Sequence, residues 1–444
     1  MTGGATTDGE NILWEVVDDH LDEAEFLTEQ WLLAARSPRF GLALLKSTLE
    51  RRLEAHLDGL VVGGEVVAQQ LLWTAIGEGT IGFEGRFAAC GLALLADRAR
   101  PTVDPLLQAL ASARKPKVRH GLHKALVMSD RRDLDEPTRL ALYAADSPEV
   151  QTALLAILAA RRVDPGPILG AMLSDARPAP VRGAAAQAAV AAADRGALYP
   201  VIESLLTSGE AAVRAAALRT GLIWNLVTAW RSCAAQAAAG HADAMLYLAM
   251  LDGGAAMPLL TSALSSPERR ADALFALGFT GLRDAADACL PSLDDPELPI
   301  ARLAGEALAA ITGVPLDDPQ FGAPRAAAPQ GELPKLADDL REELMPTPID
   351  SLPVPVAANL RRWWSERRAA FAGGQRYLRG QPFNKDTLQE ALRTGPLRRS
   401  GPLACEIAIR SSGETQLAAL HLRYPDPDLP PRLDSALHRP PRWR

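Results

Sequence analysis

The residues best suited to recognition chemistry lie in NLRRWWSERRAAFAGGQRYLRGQPF, residues 359–383. Two adjacent tryptophans sit among arginines, and a glycine pair follows. Guanidinium forks bind carboxylates or phosphates, and indole or phenol rings supply rigid apolar area. Arg361, Arg362, Trp363, Arg376 and Tyr377 are therefore the candidate partner-binding residues. Helical spacing tempers that reading. Leu360, Trp364 and Phe371 fall on one stripe, which predicts that Trp364 is core. Trp363 lies about 100° further around the helix and is expected to be half exposed. Gly373-Gly374 ends the helix, and Tyr377 and Leu378 are expected to fold back onto it. The stretch reads chiefly as a packing module, with its arginines and Trp363 as a surface for a partner.

Other chemistries find little support in residue types and spacing. His120 and His123 are one helical turn apart, but a metal needs a third ligand, and KPKVRHGLHKALVMSD is a basic neighbourhood that repels a cation. His20 belongs to an exposed charged face. The sequence contains no G-x-x-x-x-G-K-[ST] phosphate loop, no G-x-S-x-G elbow and no spaced Ser/His/Asp set. Cys90, Cys233, Cys289 and Cys405 are far apart, with no Cys-x-x-Cys pair, and read as buried, reduced thiols. No catalytic, metal or cofactor-binding residue is assigned, and a non-enzymatic protein is expected.

The elements that would position these residues are helical. The chain has 444 residues, 48% hydrophobic and only 5% aromatic, with a formal net charge of −7. An alanine- and leucine-rich composition favours helix, because these side chains lose little freedom there. A protein-wide basic field for nucleic acid is absent. The charge is uneven: nine acidic residues and no Lys or Arg lie between Asp8 and Glu29, whereas basic residues outnumber acidic ones beyond Arg361. The first residues lack the basic and apolar regions of a secretory signal, and no apolar run is long enough to cross a bilayer. A cytoplasmic protein without membrane insertion is expected.

Repetition dominates the middle of the chain. KPKVRHGLHKAL, SPEVQTALLAIL, PAPVRGAAAQAAV and GEAAVRAAALRTGL each carry a turn residue, then a marker valine, then apolar residues four, seven and eight positions later. The markers Val118, Val150, Val181 and Val213 recur every 31 or 32 residues. The pattern extends back to Arg86 and forward to Ala242, Arg269 and Ile300. Each unit reads as two antiparallel helices whose apolar stripe can be covered only by neighbouring copies. The fold class is therefore all-α: an α-solenoid of HEAT-like helix pairs, with a helical N-terminal cap and a small, mostly helical C-terminal module. Arg119, Arg182, Arg214 and Arg270, next to their markers, are expected to bond an Asp or carbonyl of the adjacent repeat as a ladder.

The organisation then reads as follows. Residues 10–75 form the cap, with Leu13, Val17, Leu21, Ala24 and Trp31 on one side of its first helix. Residues 76–313 are the repeats, 314–355 a Pro-rich linker or arm, and 356–412 the C-terminal module. Residues 413–444 form a Pro/Arg-rich tail, expected to be poorly ordered from Tyr424 on.

The repeats resemble the short HEAT-like type also found in bilin lyases. AHLDGL (55–60), EALAAITGV (306–314), WWSERRAAFAGGQRYLRGQP (363–382) and LRTGPLRRSGPLACEIAIR (392–410) together resemble an uncharacterised proteobacterial HEAT-repeat family often encoded beside type VI secretion components. That resemblance spans roughly residues 12–412 and implies a cytoplasmic accessory, adaptor or chaperone-like role, with secretion-system components or effectors as partners. The expectation is a protein–protein interaction scaffold. Nucleic-acid binding by a curved repeat surface and bilin-lyase-like catalysis stand as alternatives, the latter resting on fold resemblance alone.

Overall fold

The computed structural model describes residues 12–79, 82–323 and 347–438. Helices account for nearly all regular structure. Among the described residues two short antiparallel pairs are the exceptions: β1 (Gly322–Ala323) with β2 (Val354–Pro355), and β3 (Tyr377–Leu378) with β4 (Gln381–Pro382). The all-α, helical-repeat expectation holds. The chain divides into two compact units. The first contains residues 12–35, 43–220 and 417–426, and the second contains 36–42, 221–416 and the described residues from 427 on.

In the first unit, α1 (Trp14–Ala34) lies against α2 (Arg51–Val62) and α3 (Glu84–Ala96). Val17, Leu21, Ala24, Leu27 and Trp31 are buried, as the 3.6-residue period requires. Leu13, assigned to the same stripe, is instead 73% exposed, because it is the N-cap and precedes the helix. The acidic residues of α1 have a local task. Phe83, the N-cap of α3, supplies no side-chain cap, and its amide donates to Glu25 Oε1 at 3.4 Å. Arg86 on the first turn of α3 bonds Asp22 at 2.7 Å and Glu25 at 3.2 Å. Carboxylates thus cover the electropositive start of the first repeat helix. Burial, then the neighbouring Glu25, pushes the Glu29 carboxyl up, while a bond from the Gly85 backbone opposes the rise.

The second helices of the repeats are α3, α4 (Pro116–Met128), α5 (Pro148–Arg161), α6 (Ala179–Ala188) and α7 (Ala211–Ile223). In the second unit α8 (Ala242–Leu251), α9 (Pro267–Thr280) and α10 (Leu298–Thr312) continue the series. Each marker is the third residue of its helix. Three of these helices open on proline, whose missing N–H is no loss in a first turn. Val118, Val150, Val181 and Val213 are buried, with Leu122, Leu154, Ala185 and Ala217 four residues on. The marker of α8 is Ala244, which is buried, not Ala242, which is exposed. With that correction the markers are spaced by 32, 32, 31, 32, 31, 25 and 31 residues. The short step follows α8, which ends at Leu251. Asp252 then accepts a bond from the Ala255 amide at 3.1 Å and starts the next helix at once. Close packing explains the small residues. A Cβ on Gly121 of α4 would lie 2.6 Å from the Glu84 carbonyl oxygen of α3.

The expected arginine ladder is built differently. Arg119, Arg182 and Arg214 bond their own repeat's turn: the Ala113 carbonyl at 3.5 Å, Asp175 at 2.7 Å and the Ser208 carbonyl at 2.6 Å. Gln151 does the same to the Ala145 carbonyl at 2.7 Å. These turn carbonyls have lost their helical partners, so the nearest donor takes them. Of the four arginines, Arg270 alone matches the expectation, bonding Asp295 at 2.9 Å and Glu297 at 2.8 Å. Links between repeats occur where the second helices end. Arg131 donates to the Leu95 and Asp97 carbonyls at 3.4 Å, Arg161 to the Ser129 carbonyl at 2.9 Å, and Thr220 to the Ala186 carbonyl at 2.6 Å.

In the second unit α11 (Ala357–Arg367), α12 (Lys385–Thr394) and α13 (Leu397–Arg410) pack on the last repeats. The amides of Tyr377, Arg379 and Gly380 donate to the carbonyls of Gly281, Ala310 and Ile311 at 2.8, 2.8 and 2.9 Å. Of the 314–355 linker, residues 324–346 lie outside the described residues. The described tail is not loose. Leu422 is buried in the first unit, and Leu429, Leu433 and Leu437 are buried in the second. Among the described residues no single helix is long and apolar enough to cross a membrane. The pair Leu42–Val62 and Gly64–Glu78 is long and apolar enough only when taken together, and it is bent by 105°.

Candidate functional site

The five candidate residues separate into an interior pair and a surface group. Trp364 is 1% exposed, and its indole N–H donates to Asp287 at 2.8 Å. Its ring meets Phe371 at 5.0 Å, and Phe371 meets Tyr377 at 4.6 Å. Tyr377 belongs to this buried stack, and its hydroxyl accepts the Ala372 amide at 2.9 Å. Arg376 is interior too. It bonds both carboxylate oxygens of Glu406, the Met250 carbonyl at 3.0 Å and the Phe279 carbonyl at 3.1 Å, and it lies 3.8 Å over the Phe383 ring.

At the surface, Arg361 bridges Asp294 at 2.6 and 3.0 Å and the Leu290 carbonyl at 3.0 Å. That contact holds the Asp294 carboxyl below its usual range. Arg362 is exposed. Trp363 is half-buried, edge-on to Phe321 at 6.3 Å, with the Arg367 guanidinium 4.8 Å over its ring. The patch a partner can reach is therefore Arg361, Arg362, Trp363 and Arg367.

Two interior charge groups escaped the sequence reading. Glu406 is completely buried between Arg376 and Arg410, the latter at 2.7 Å. Burial opposes its ionisation, but the two guanidiniums outweigh that and hold the carboxyl below its ordinary range. Arg398 bonds Glu306 at 2.8 Å, and Arg399 stacks 3.8 Å over Phe279. Burial pushes the Arg399 guanidinium down to about 10. The signal for the first group was present: Glu406 and Arg410 stand one turn apart in an otherwise apolar stretch, EIAIR.

One histidine pair meets: the half-buried His20, expected on an exposed charged face, lies with its Nδ1 3.1 Å from that of His56. His120 bonds Glu84 at 3.0 Å, while burial pushes the His123 ring down to about 4. No cluster of three metal-ligating side chains occurs among the described residues. All four cysteines are buried thiols, and burial pushes those of Cys90, Cys233 and Cys289 up to about 12.

The first unit carries a second site that the sequence did not suggest. Residues 417–426 run as an irregular segment across the C-terminal ends of α4 and α5, with a turn at Leu422-Arg423 where the Tyr424 amide donates to the His421 carbonyl at 3.2 Å. The Ala419 amide donates to the Ala160 carbonyl at 3.0 Å, and the Leu422 amide to the Met128 carbonyl at 2.8 Å. Arg162 holds the Leu417 carbonyl at 3.0 Å, and Lys46 holds Asp426 at 2.7 Å. The Arg423 amide donates to Glu50 at 2.6 Å, and its guanidinium pairs with Glu54 at 2.7 Å and Asp130 at 3.5 Å. Burial pushes the Glu54 carboxyl up, and Arg423 acts against that rise. A cleft of about 870 Å³ runs beside the segment, bordered by Arg132, Asp133, Asp135 and Arg161.

No family model matches the chain, and no curated protein does. Among solved structures, an engineered protein is similar at 16% identity over 70% of this chain and 90% of its own. Its TM-score of 0.27 is too low to argue from.

Proposed function

We propose that the protein is a non-enzymatic scaffold or adaptor that binds another protein, and that the surface of the second unit around Trp363 is one contact. The observation that supports this is a half-exposed tryptophan held in place by Phe321 and Arg367, with Arg361 and Arg362 beside it. A rigid aromatic flanked by guanidiniums is the kind of anchor on which binding energy concentrates. Work in the cytoplasm as an accessory or chaperone-like factor of a type VI secretion system is proposed on the sequence resemblance alone.

The test is capture of partners from the native host by the full chain, with Trp363→Ala and Arg362→Ala compared against the wild type. Loss of an anchor costing about 2 kcal/mol weakens binding roughly thirtyfold. Undiminished capture by a Trp363→Ala chain with an unchanged circular dichroism melt would overturn the reading. Retention on DNA that falls steeply with salt would favour nucleic acid instead.

A further inference from the structure

We propose that the groove holding residues 417–426 is a peptide-binding site, and that this segment is an internal ligand which a partner segment carrying an apolar residue followed by arginine displaces. The groove recognises main chain. Its acceptors at Met128 and Ala160 are carbonyls in the last turns of successive repeat helices, open to the main chain of any irregular segment laid across them. Specificity comes from the turn at Leu422-Arg423. Leu422 is the buried side chain within 417–426, and the amide and guanidinium of the next residue meet Glu50, Glu54 and Asp130. An acidic pocket beside an apolar one selects an apolar–basic pair.

The resident segment is held weakly enough to leave. Residues 415–421 are only half-buried. The Arg423 side chain is 51% exposed, and an ion pair so open to water contributes little. Arg423 also sits at φ +56°, in the left-handed region that a non-glycine residue adopts at a cost. The cleft beside the resident segment gives a longer segment further surface in Arg132, Asp133 and Asp135.

The experiment uses the full chain and a fluorescent peptide of its own sequence, TQLAALHLRYPD (415–426), read by anisotropy. A Leu422→Ala/Arg423→Ala chain should bind the peptide at least about tenfold more tightly than the wild type, whose groove is filled. A peptide with alanine at both of those positions should lose about tenfold. Equal binding of both peptides, or none by the variant, overturns the proposal. Hydrogen exchange on the wild-type chain is the second measurement, should the variant not fold. Fast exchange of amides 419 and 422 beside slow exchange in α4 is expected, and equally slow exchange in both overturns it. Wild-type dimers that disappear in Arg423→Ala would place a second copy's tail in the groove and overturn the assignment to a different partner. This proposal stands on the first unit and is independent of the Trp363 surface.

Discussion

The two units use charged residues in opposite ways. In the first, arginines work at the margins of the repeats. They take up turn and helix-end carbonyls, and among the described residues of that unit only Glu50 and Arg131 are buried charged side chains. In the second, arginines enter the core: Arg376 and Arg410 flank the buried Glu406, and Arg399 stacks on Phe279. A marginal arginine replaces water at a carbonyl and contributes modestly. A core ion pair contributes little net stability against apolar packing, yet breaking it strands an uncompensated charge. The first unit should therefore be sensitive to apolar truncation and the second to removal of one charge.

The largest effect expected is in the second unit. Glu406→Ala leaves two largely buried guanidiniums without their shared carboxylate and should destabilise by about 3–5 kcal/mol. Hydrogen exchange should show the loss in α8, α9 and α13 and spare α4. A change below about 1 kcal/mol would break the contrast. In the first unit the counterpart is Leu122→Ala, at a fully buried stripe position, which should cost about 3 kcal/mol in denaturant titration.

Acid separates the units next. Burial, with the charges of His120 and Lys124, holds the His123 ring down to about 4, so the unfolded chain takes up this proton first. The stability from the neutral ring is complete above about 6.5 and is lost as pH falls toward 4, at most about 3 kcal/mol. Glu406 is shifted down, so its contribution is present above about 4.3 and is lost only as pH falls further. Protection factors in α4, corrected for the intrinsic pH dependence of exchange, should fall between pH 6.5 and 4, before those in α13, and His123→Leu should abolish the difference. The smallest effect tests the turn clamps: Gln151→Ala should cost about 1 kcal/mol by thermal melting, because one turn carbonyl loses its partner.

The repeat pattern was legible because an apolar residue every three or four positions reports burial wherever the helix packs. Trp364, on a stripe with Leu360, was legible for the same reason. The marker of α8 was misplaced because the helix is apolar in both registers: Leu246, Ala249 and Met250 suit a marker at Ala242 as well as Leu248 and Leu251 suit one at Ala244. Arg376 and Tyr377 looked like a surface grip because nothing local distinguishes an exposed arginine from one aimed at Glu406, thirty residues away in the chain. The tail from Tyr424 looked loose because its prolines break up regular structure, yet Leu429, Leu433 and Leu437 pack into the second unit, the last two on a short helix.

Composition and periodicity determined on their own that this chain is helical, that its helices come in stacked pairs, and which faces are apolar. These properties depend on neighbours within two turns. Tertiary structure alone decided where each guanidinium ends, that acidic α1 residues serve the start of α3, and that the tail lies on helix ends. A long charged side chain reaches any of several acceptors, and only the packed fold determines which of them has lost its water.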